Sequence, residues 1–163
     1  SLHDALPISA WHAIGASGHS GAAYVFSWDG IAWSFESKLV ASDGTNGDEF
    51  GCAVAVDGDR LIVGAWNDEQ PGLFDSGAAY VFERGTSGDW SESTKLLPSD
   101  PYSLDSFGIS VALKGDEAYV GAMKGGPSDP GAVYAFHRQP SGSWVQTQKL
   151  VPSDPDKGSG TSF

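Results

Sequence analysis

Carboxylates are the side chains in this sequence whose type and spacing could do chemistry. Asp43, Asp48 and Glu49 stand close together, and Asp100 and Asp105 repeat the Asp43–Asp48 pair further along the chain. Carboxylate oxygens are hard ligands that suit calcium or magnesium and not zinc. We therefore predict these five residues as metal ligands, with calcium as the one cofactor that the sequence suggests. Their spacing matches no known calcium loop, so a solvated acidic surface is the alternative.

The charge of the whole chain limits its partners. Its 163 residues carry 9 Lys and Arg against 21 Asp and Glu, a net charge of −12. Nucleic acids and anionic membranes attract Lys and Arg, so neither is expected as a partner. No apolar run approaches the length of a membrane span, so no membrane insertion is expected. Cationic partners or metal ions fit this charge better.

Motifs for catalysis are not apparent. The 4 His residues show no metal-ligand spacing, and the single Cys offers no zinc partner. A Gly-x-Ser-x-Gly nucleophile elbow is absent, and no glycine loop precedes a helix pattern that could bind phosphate. We therefore predict that this chain is not an enzyme, with no catalytic residue and no bound organic cofactor.

An internal repeat predicts the elements that position the acids. The segment GAAYVF at 21–26 returns at 77–82 and, as GAVYAF, at 131–136. KLVASD at 38–43 returns as KLLPSD at 95–100 and as KLVPSD at 149–154. A constant period of about 55 residues indicates one supersecondary unit used several times.

Each copy reads as four short β-strands. In the second copy they are 50–56, 60–66, 77–82 and 90–97, and in the third the first is 107–113. The first strand is small and apolar, and the fourth is polar like an outer edge strand. This pattern predicts an all-β fold, a β-propeller fragment of four-stranded antiparallel blades, with slightly under three blades present. A sandwich or a linear stack of hairpins is the alternative.

The repeat also sets the predicted domain boundaries. Residues 1–9 match no copy and are predicted as a non-repeat leader, with foreign sequence as one interpretation of their origin. Residues 10–49 are predicted as a partial blade with strands 2 to 4, in which 10–17 form strand 2. Residues 50–106 and 107–162 are predicted as complete blades, and Phe163 as the first residue of a further blade.

The copies resemble FG-GAP repeats, the blades of integrin-alpha-like β-propellers. Phe50-Gly51 and Phe107-Gly108 match the "FG", and Val63-Gly64-Ala65 and Val120-Gly121-Ala122 match the closing "GA". The strand motifs are most similar to a bacterial extracellular subtype. The resemblance implies an extracellular or cell-surface location and the remaining blades of a parent chain as partners. The hairpins at 57–59 and 115–117 are too short for the family's calcium loop, so that site is not transferred to them.

The acids concentrate on one predicted face. Antiparallel strands place the strand 2–3 loops and the blade-to-blade loops on the same side. These loops contain 11 of the 21 acids and only Lys124 and Lys157 as bases. The acids are Asp43, Asp48, Glu49, Asp68, Glu69, Asp75, Asp100, Asp105, Asp129, Asp154 and Asp156. Long loops on a rigid scaffold are common binding sites, so this long-loop acidic face is predicted to bind a protein or carbohydrate ligand.

Three functions compete at this point. The leading hypothesis is a non-enzymatic extracellular binding or adhesion propeller, present here as a fragment of a larger repeat protein. The alternative is a set of structural or accessory blades of a larger secreted enzyme, and the third is a propeller hydrolase with an axial site. Trp33, Trp90 and Trp144 recur with the repeat, and we predict packing between blades for them, with a sugar-stacking platform as the other interpretation.

Overall fold

All regular elements of the described chain are β-strands. The computed structural model describes residues 5–124 and 131–153. The strands are β1 (Ala5–Ala10), β2 (Ala22–Trp28), β3 (Trp33–Leu39), β4 (Val54–Asp57), β5 (Arg60–Ala65), β6 (Ala78–Arg84), β7 (Trp90–Leu96), β8 (Ser110–Lys114), β9 (Glu117–Ala122), β10 (Ala132–Arg138) and β11 (Trp144–Leu150). Within these two ranges, no helix long and apolar enough to cross a membrane is found.

The strands form three antiparallel sheets in chain order. The first sheet is β1-β2-β3, the second β4-β5-β6-β7 and the third β8-β9-β10-β11. The inner strands meet: β4 packs against β8, and β1 packs against β4. Sheets that share an inner axis and face one another are blades, so the chain is a partial β-propeller and the predicted fold class is confirmed.

Register explains how each blade is built. The turn at Gly58, with φ 61°, joins β4 to β5 and sets Asp57 opposite Arg60. A register shift recurs between the last two strands of each sheet, at Val25/Phe26, at 81/82 and at 135/136. A bulge at the same place in each copy increases twist alike in all three blades.

The hydrophobic core lies between sheets. One cluster joins Val25 and Leu39 of the first sheet to the face of the second sheet that carries Tyr80. The other joins the opposite face of the second sheet to the third sheet. Since strand neighbours point to opposite faces, each complete blade contributes to two cores, one on either side. These two interfaces are called here the first and second junctions.

The Phe-Gly pair is where the structure departs from the predicted inner strands. Those strands were predicted to begin at Phe50 and Phe107, but β4 begins at Val54 and β8 at Ser110. Phe50 instead forms a parallel bridge with Gly21 of the preceding sheet, and its N–H donates to Ser20 O at 2.9 Å. The start of each copy is therefore bonded to the blade before it as well as to its own second strand.

Glycine is required where the two backbones meet. Gly21 has φ 92°, and a Cβ there would lie 2.1 Å from Phe50 O. Gly51 has φ 94°, and a Cβ there would lie 2.3 Å from Ala22 O. Positive φ and backbone crowding each make a side chain at these two positions costly. This contact explains why both glycines return in every junction.

The first strand of the chain lies earlier than predicted. Residues 10–17 were predicted as strand 2, but β1 is Ala5–Ala10, and it includes part of the predicted leader. Ala10 pairs with Ala22 as Ala65 pairs with Ala78, so the two sheets share one register. The physical reason is loop length. The connection from Ala10 to Ala22 is about as long as the equivalent connection from Ala65 to Ala78, so the strand that pairs with β2 ends at Ala10. Phe163 and residues 1–4 lie outside the described residues.

Candidate functional site

Two of the predicted metal ligands, Asp43 and Asp100, lie at the junctions between blades. Asp43 follows β3 of the first sheet and accepts a hydrogen bond from Tyr80 Oη of the second sheet at 2.7 Å. Its other oxygen lies 2.7 Å from Lys95 Nζ, also of the second sheet. Asp68 of the second sheet accepts from Lys95 Nζ at 3.0 Å and lies 2.6 Å from Tyr80 Oη, whose single proton serves one of the two carboxylates at a time. These four side chains form a clamp that connects the two blades.

The clamp perturbs the pKa of each member. Burial raises the pKa of Asp68, and the hydrogen bonds from Tyr80 and Lys95 offset this only in part. Burial opposes ionisation of Asp43, but Lys95 and Tyr80 outweigh it and hold its pKa below the usual value. Burial likewise opposes the charge on Lys95, yet the two carboxylates raise its pKa. Burial, followed by the negative charge of Asp68, raises the pKa of Tyr80. The group is therefore two carboxylates sharing one ammonium and one phenol.

The same kinds of side chain meet at the second junction among the described residues. Asp100 accepts from Lys149 Nζ at 2.8 Å and from Tyr134 Oη at 3.1 Å. Burial raises the pKa of Tyr134 to about 12. The recurring Lys-Leu and Ser-Asp pairs of the sequence thus have a structural function, because the Asp of one copy binds the Lys and Tyr of the next. The corresponding Asp154 lies outside the described residues.

Asp48 and Asp105 are bonded within their own loops, whereas Glu49 of the β3–β4 loop is bonded to the β5–β6 loop. Asp48 is 3% exposed and accepts from Thr45 N and Thr45 Oγ1, both at 2.6 Å. Asp105 is 1% exposed and accepts from Tyr102 N at 2.9 Å. Glu49 accepts from Trp66 Nε1 at 3.0 Å. Each carboxylate satisfies N–H or O–H donors that would otherwise be unpaired in a tight loop.

The five acids therefore do not share one site. Among the described residues, no group of three or more His, Cys, Asp or Glu is placed to hold a metal ion. Asp43 and Asp100 face ammonium groups, and Asp48 and Asp105 face backbone donors. Calcium binding stays a prediction from the sequence, without a coordinating cluster in this part of the structure. Asp129, Asp154 and Asp156 of the predicted acidic face are outside the described ranges.

The recurring tryptophans contact the junctions unequally. Trp90 packs against the core of the first junction, and its Nε1 donates to Glu36 Oε1 of the preceding blade at 2.9 Å. Trp144 packs against the second core, but its buried Nε1 has no partner in the described structure. Trp33 is 46% exposed and contacts Trp28, with ring centroids 5.5 Å apart and ring planes tilted by 47°. Packing between blades accounts for two of the three.

Sequence reasoning missed an apolar patch on the long loops. Phe74 lies in the β5–β6 loop and is 67% exposed, while Tyr102 and Leu104, in the β7–β8 loop, are 46% and 52% exposed. Leu104 N donates to Phe74 O at 2.8 Å, and Phe74 N donates to Ser103 Oγ at 3.2 Å. The two loops are thereby bonded together with large apolar side chains in solvent. We call Phe74, Tyr102 and Leu104 the loop patch.

Backbone strain concentrates around the loop patch. Asp75, Leu104 and Ser106 have φ values of 49°, 68° and 53°, which side-chain-bearing residues rarely adopt. Ser106 N donates to Asp75 O at 3.2 Å and so ties two of them together. Strain of this kind costs free energy and persists where the surroundings impose it. Single apolar residues within loops give no periodic pattern, so the sequence does not predict that these side chains come together.

Comparison with known families agrees with this architecture. A family described as FG-GAP repeat matches residues 33–82 and 90–136, more than half of the chain. The chain belongs to the FG-GAP repeat family. Each matched segment begins on the last strand of one sheet and ends on the third strand of the next, so the FG-GAP unit includes a junction and is offset from the blade. No curated protein matches the chain.

Proposed function

We propose that this FG-GAP chain belongs to a non-enzymatic extracellular propeller that binds a protein or carbohydrate ligand through its long-loop acidic face. The observation that carries the proposal is the loop patch. Folding leaves three large apolar side chains exposed on neighbouring loops, at a cost in solvation that a bound partner would recover. The acids of the same loops favour a partner with basic groups beside its apolar contact.

Rigidity supports a binding function for the loop patch. The β5–β6 and β7–β8 loops are bonded to each other through backbone atoms of Phe74 and Leu104. A surface that is already ordered loses little conformational entropy when it binds. The β2–β3 turn at the opposite ends of the strands exposes a single isoleucine, Ile31, at 87%. That turn provides a control position of similar chemistry outside the proposed face.

The test is a binding comparison on the full chain. The wild type, the double variant Phe74→Ser/Leu104→Ser and the control Ile31→Ser would be immobilised and probed with extracellular matrix proteins and a glycan array. We expect at least one ligand that binds the wild type and the Ile31→Ser control but loses ten-fold or more in affinity with the double variant. Equal binding by all three proteins, or no binding to either panel, would contradict the proposal.

A further inference from the structure

The third sheet exposes a face whose counterpart in the second sheet is buried. In the second sheet, Ile62, Ala79 and Leu96 face the third sheet and are 0%, 0% and 3% exposed. By register, the same positions of the third sheet are occupied by Tyr119, Val133 and Leu150, which are 39%, 38% and 42% exposed. We call these three residues, with Glu117 and His137 on the same side, the third-sheet outer face.

The two junctions indicate what covers such a face. A cavity of about 260 Å³ is lined by Gly131, Ala132, Val133, Leu150, Val151 and Pro152. Gly77, the counterpart of Gly131, bridges to Phe107, and Phe107 packs in the second core with Leu96, the counterpart of Leu150. In both junctions the covering element is therefore a blade that begins with Phe-Gly.

Charges at the rim of the second junction are complementary. Arg60 and Glu83 are register partners on β5 and β6. Arg60 Nη1 lies 2.9 Å from Asp116 Oδ1 of the third sheet, and Glu83 Oε1 lies 3.0 Å from Arg138 Nε. A base and an acid of the second sheet thus pair with an acid and a base of the third sheet.

At the equivalent rim position of the third sheet, the acid and the base are exchanged between the two strands. Glu117 and His137 are the register partners there, on β9 and β10. His137 Nδ1 lies 2.6 Å from Glu117 Oε1. An acid therefore stands where Arg60 stood, and an imidazole where Glu83 stood. A following blade with Asp at the Asp116 position would bring like charges together at Glu117.

We propose that the third-sheet outer face binds a further Phe-Gly-led blade whose rim charge is reversed, with Lys or Arg at the position of Asp116. Both complete blades of this chain have Asp at that position, Asp59 and Asp116. A further blade that kept Asp there would place a like charge beside Glu117. Such a rule selects neighbours by charge and keeps blades in order. It is independent of what the loop patch binds.

The test adds one blade to the full chain. The 163-residue chain is extended by a second copy of residues 108–163, so that Phe163 takes the place of Phe107. One version carries the copy unaltered, and the other carries Asp116→Lys in the added copy alone. Urea unfolding and limited proteolysis of the added blade are measured for both. We expect about a five-fold larger folding equilibrium constant for the Lys version, the upper range of an exposed ion pair.

Two controls make the outcome decisive. Glu117→Gln in the original third blade should remove the difference between the two versions, because it removes the charge that selects the Lys. High salt should reduce the difference as well, since exposed charges are screened. Equal stability of the two versions, or a difference that survives Glu117→Gln, would overturn the charge rule. An added blade that stays sensitive to protease in both versions would overturn docking on this face.

Discussion

Replacing Gly64 by Ala tests the blade junction with a matched control in the same chain. A Cβ on Gly64 would lie 1.9 Å from Gly108 O, the backbone of the next sheet. Gly121 holds the same position one blade later, and a Cβ there would lie 2.2 Å from Ser110 Oγ, the end of a side chain that can rotate away. Neither glycine has a positive φ, so strain in φ does not enter the comparison.

The expected magnitude follows from these contacts. Real Cβ atoms keep about 3.0 Å from such neighbours, so the second and third sheets must separate by roughly 1 Å to accommodate Ala at 64. Overpacking of this kind costs about 1–3 kcal/mol. Ala also restricts the unfolded chain more than Gly does, which offsets about 0.4–1 kcal/mol of this destabilisation. Ser9, at the equivalent position of the first sheet, donates to Gly51 O, so a junction can adjust to a Cβ and the lower half of the range applies.

The assay is urea unfolding followed by tryptophan fluorescence at low protein concentration. We expect Gly64→Ala to destabilise the chain by roughly 1 kcal/mol, the lower overpacking cost less the gain from the more restricted unfolded chain. We expect Gly121→Ala to be neutral or to stabilise by up to about 1 kcal/mol. Equal midpoints for the two variants would refute the view that the close backbone contact at Gly108 holds the second junction together.

Four further predictions rest on other contacts. Val111 is half-buried against the second core, so Val111→Asp should lower the free energy of unfolding by several kcal/mol. A change in that free energy under about 0.5 kcal/mol would mean that its strand is exposed. The lowered pKa of Asp43 should stabilise the wild type relative to Asp43→Asn above about pH 4, an advantage lost as the pH falls through the folded-state value; parallel pH curves would contradict this. Ser93→Glu puts an acid in the second junction at the position that Glu36 holds in the first. It should stabilise the folded chain by about 1 kcal/mol, because the new carboxylate can accept from Trp144 Nε1, which has no partner in the described structure; the absence of a new indole hydrogen bond in NMR would argue against it. Calcium binding predicts a higher thermal midpoint in millimolar calcium than in sodium at matched ionic strength, and identical midpoints would reject it.

Much of the blade was predictable because its signals are local. The alternation of apolar residues, the Asp-Gly turn at 57–58 and the polar edge strand from Trp90 are local properties of sequence and led to four-stranded sheets. The start of the inner strand was not, because Phe50 bonds to Ser20 of another blade. The position of β1 was also missed, because an apolar segment near Ile14 resembles a strand more than ALPISA does.

The candidate site shows the division most clearly. The sequence by itself determined that acids recur with the repeat, since Asp43 and Asp100 follow the same strand in two copies. Only the tertiary structure decided what they bind. Asp43 meets Tyr80 and Lys95 because one blade packs across the next, and the angle between two sheets is set by the whole junction. Periodicity describes one copy of the unit, whereas the clamp, the loop patch and the rim charges arise only where two copies meet.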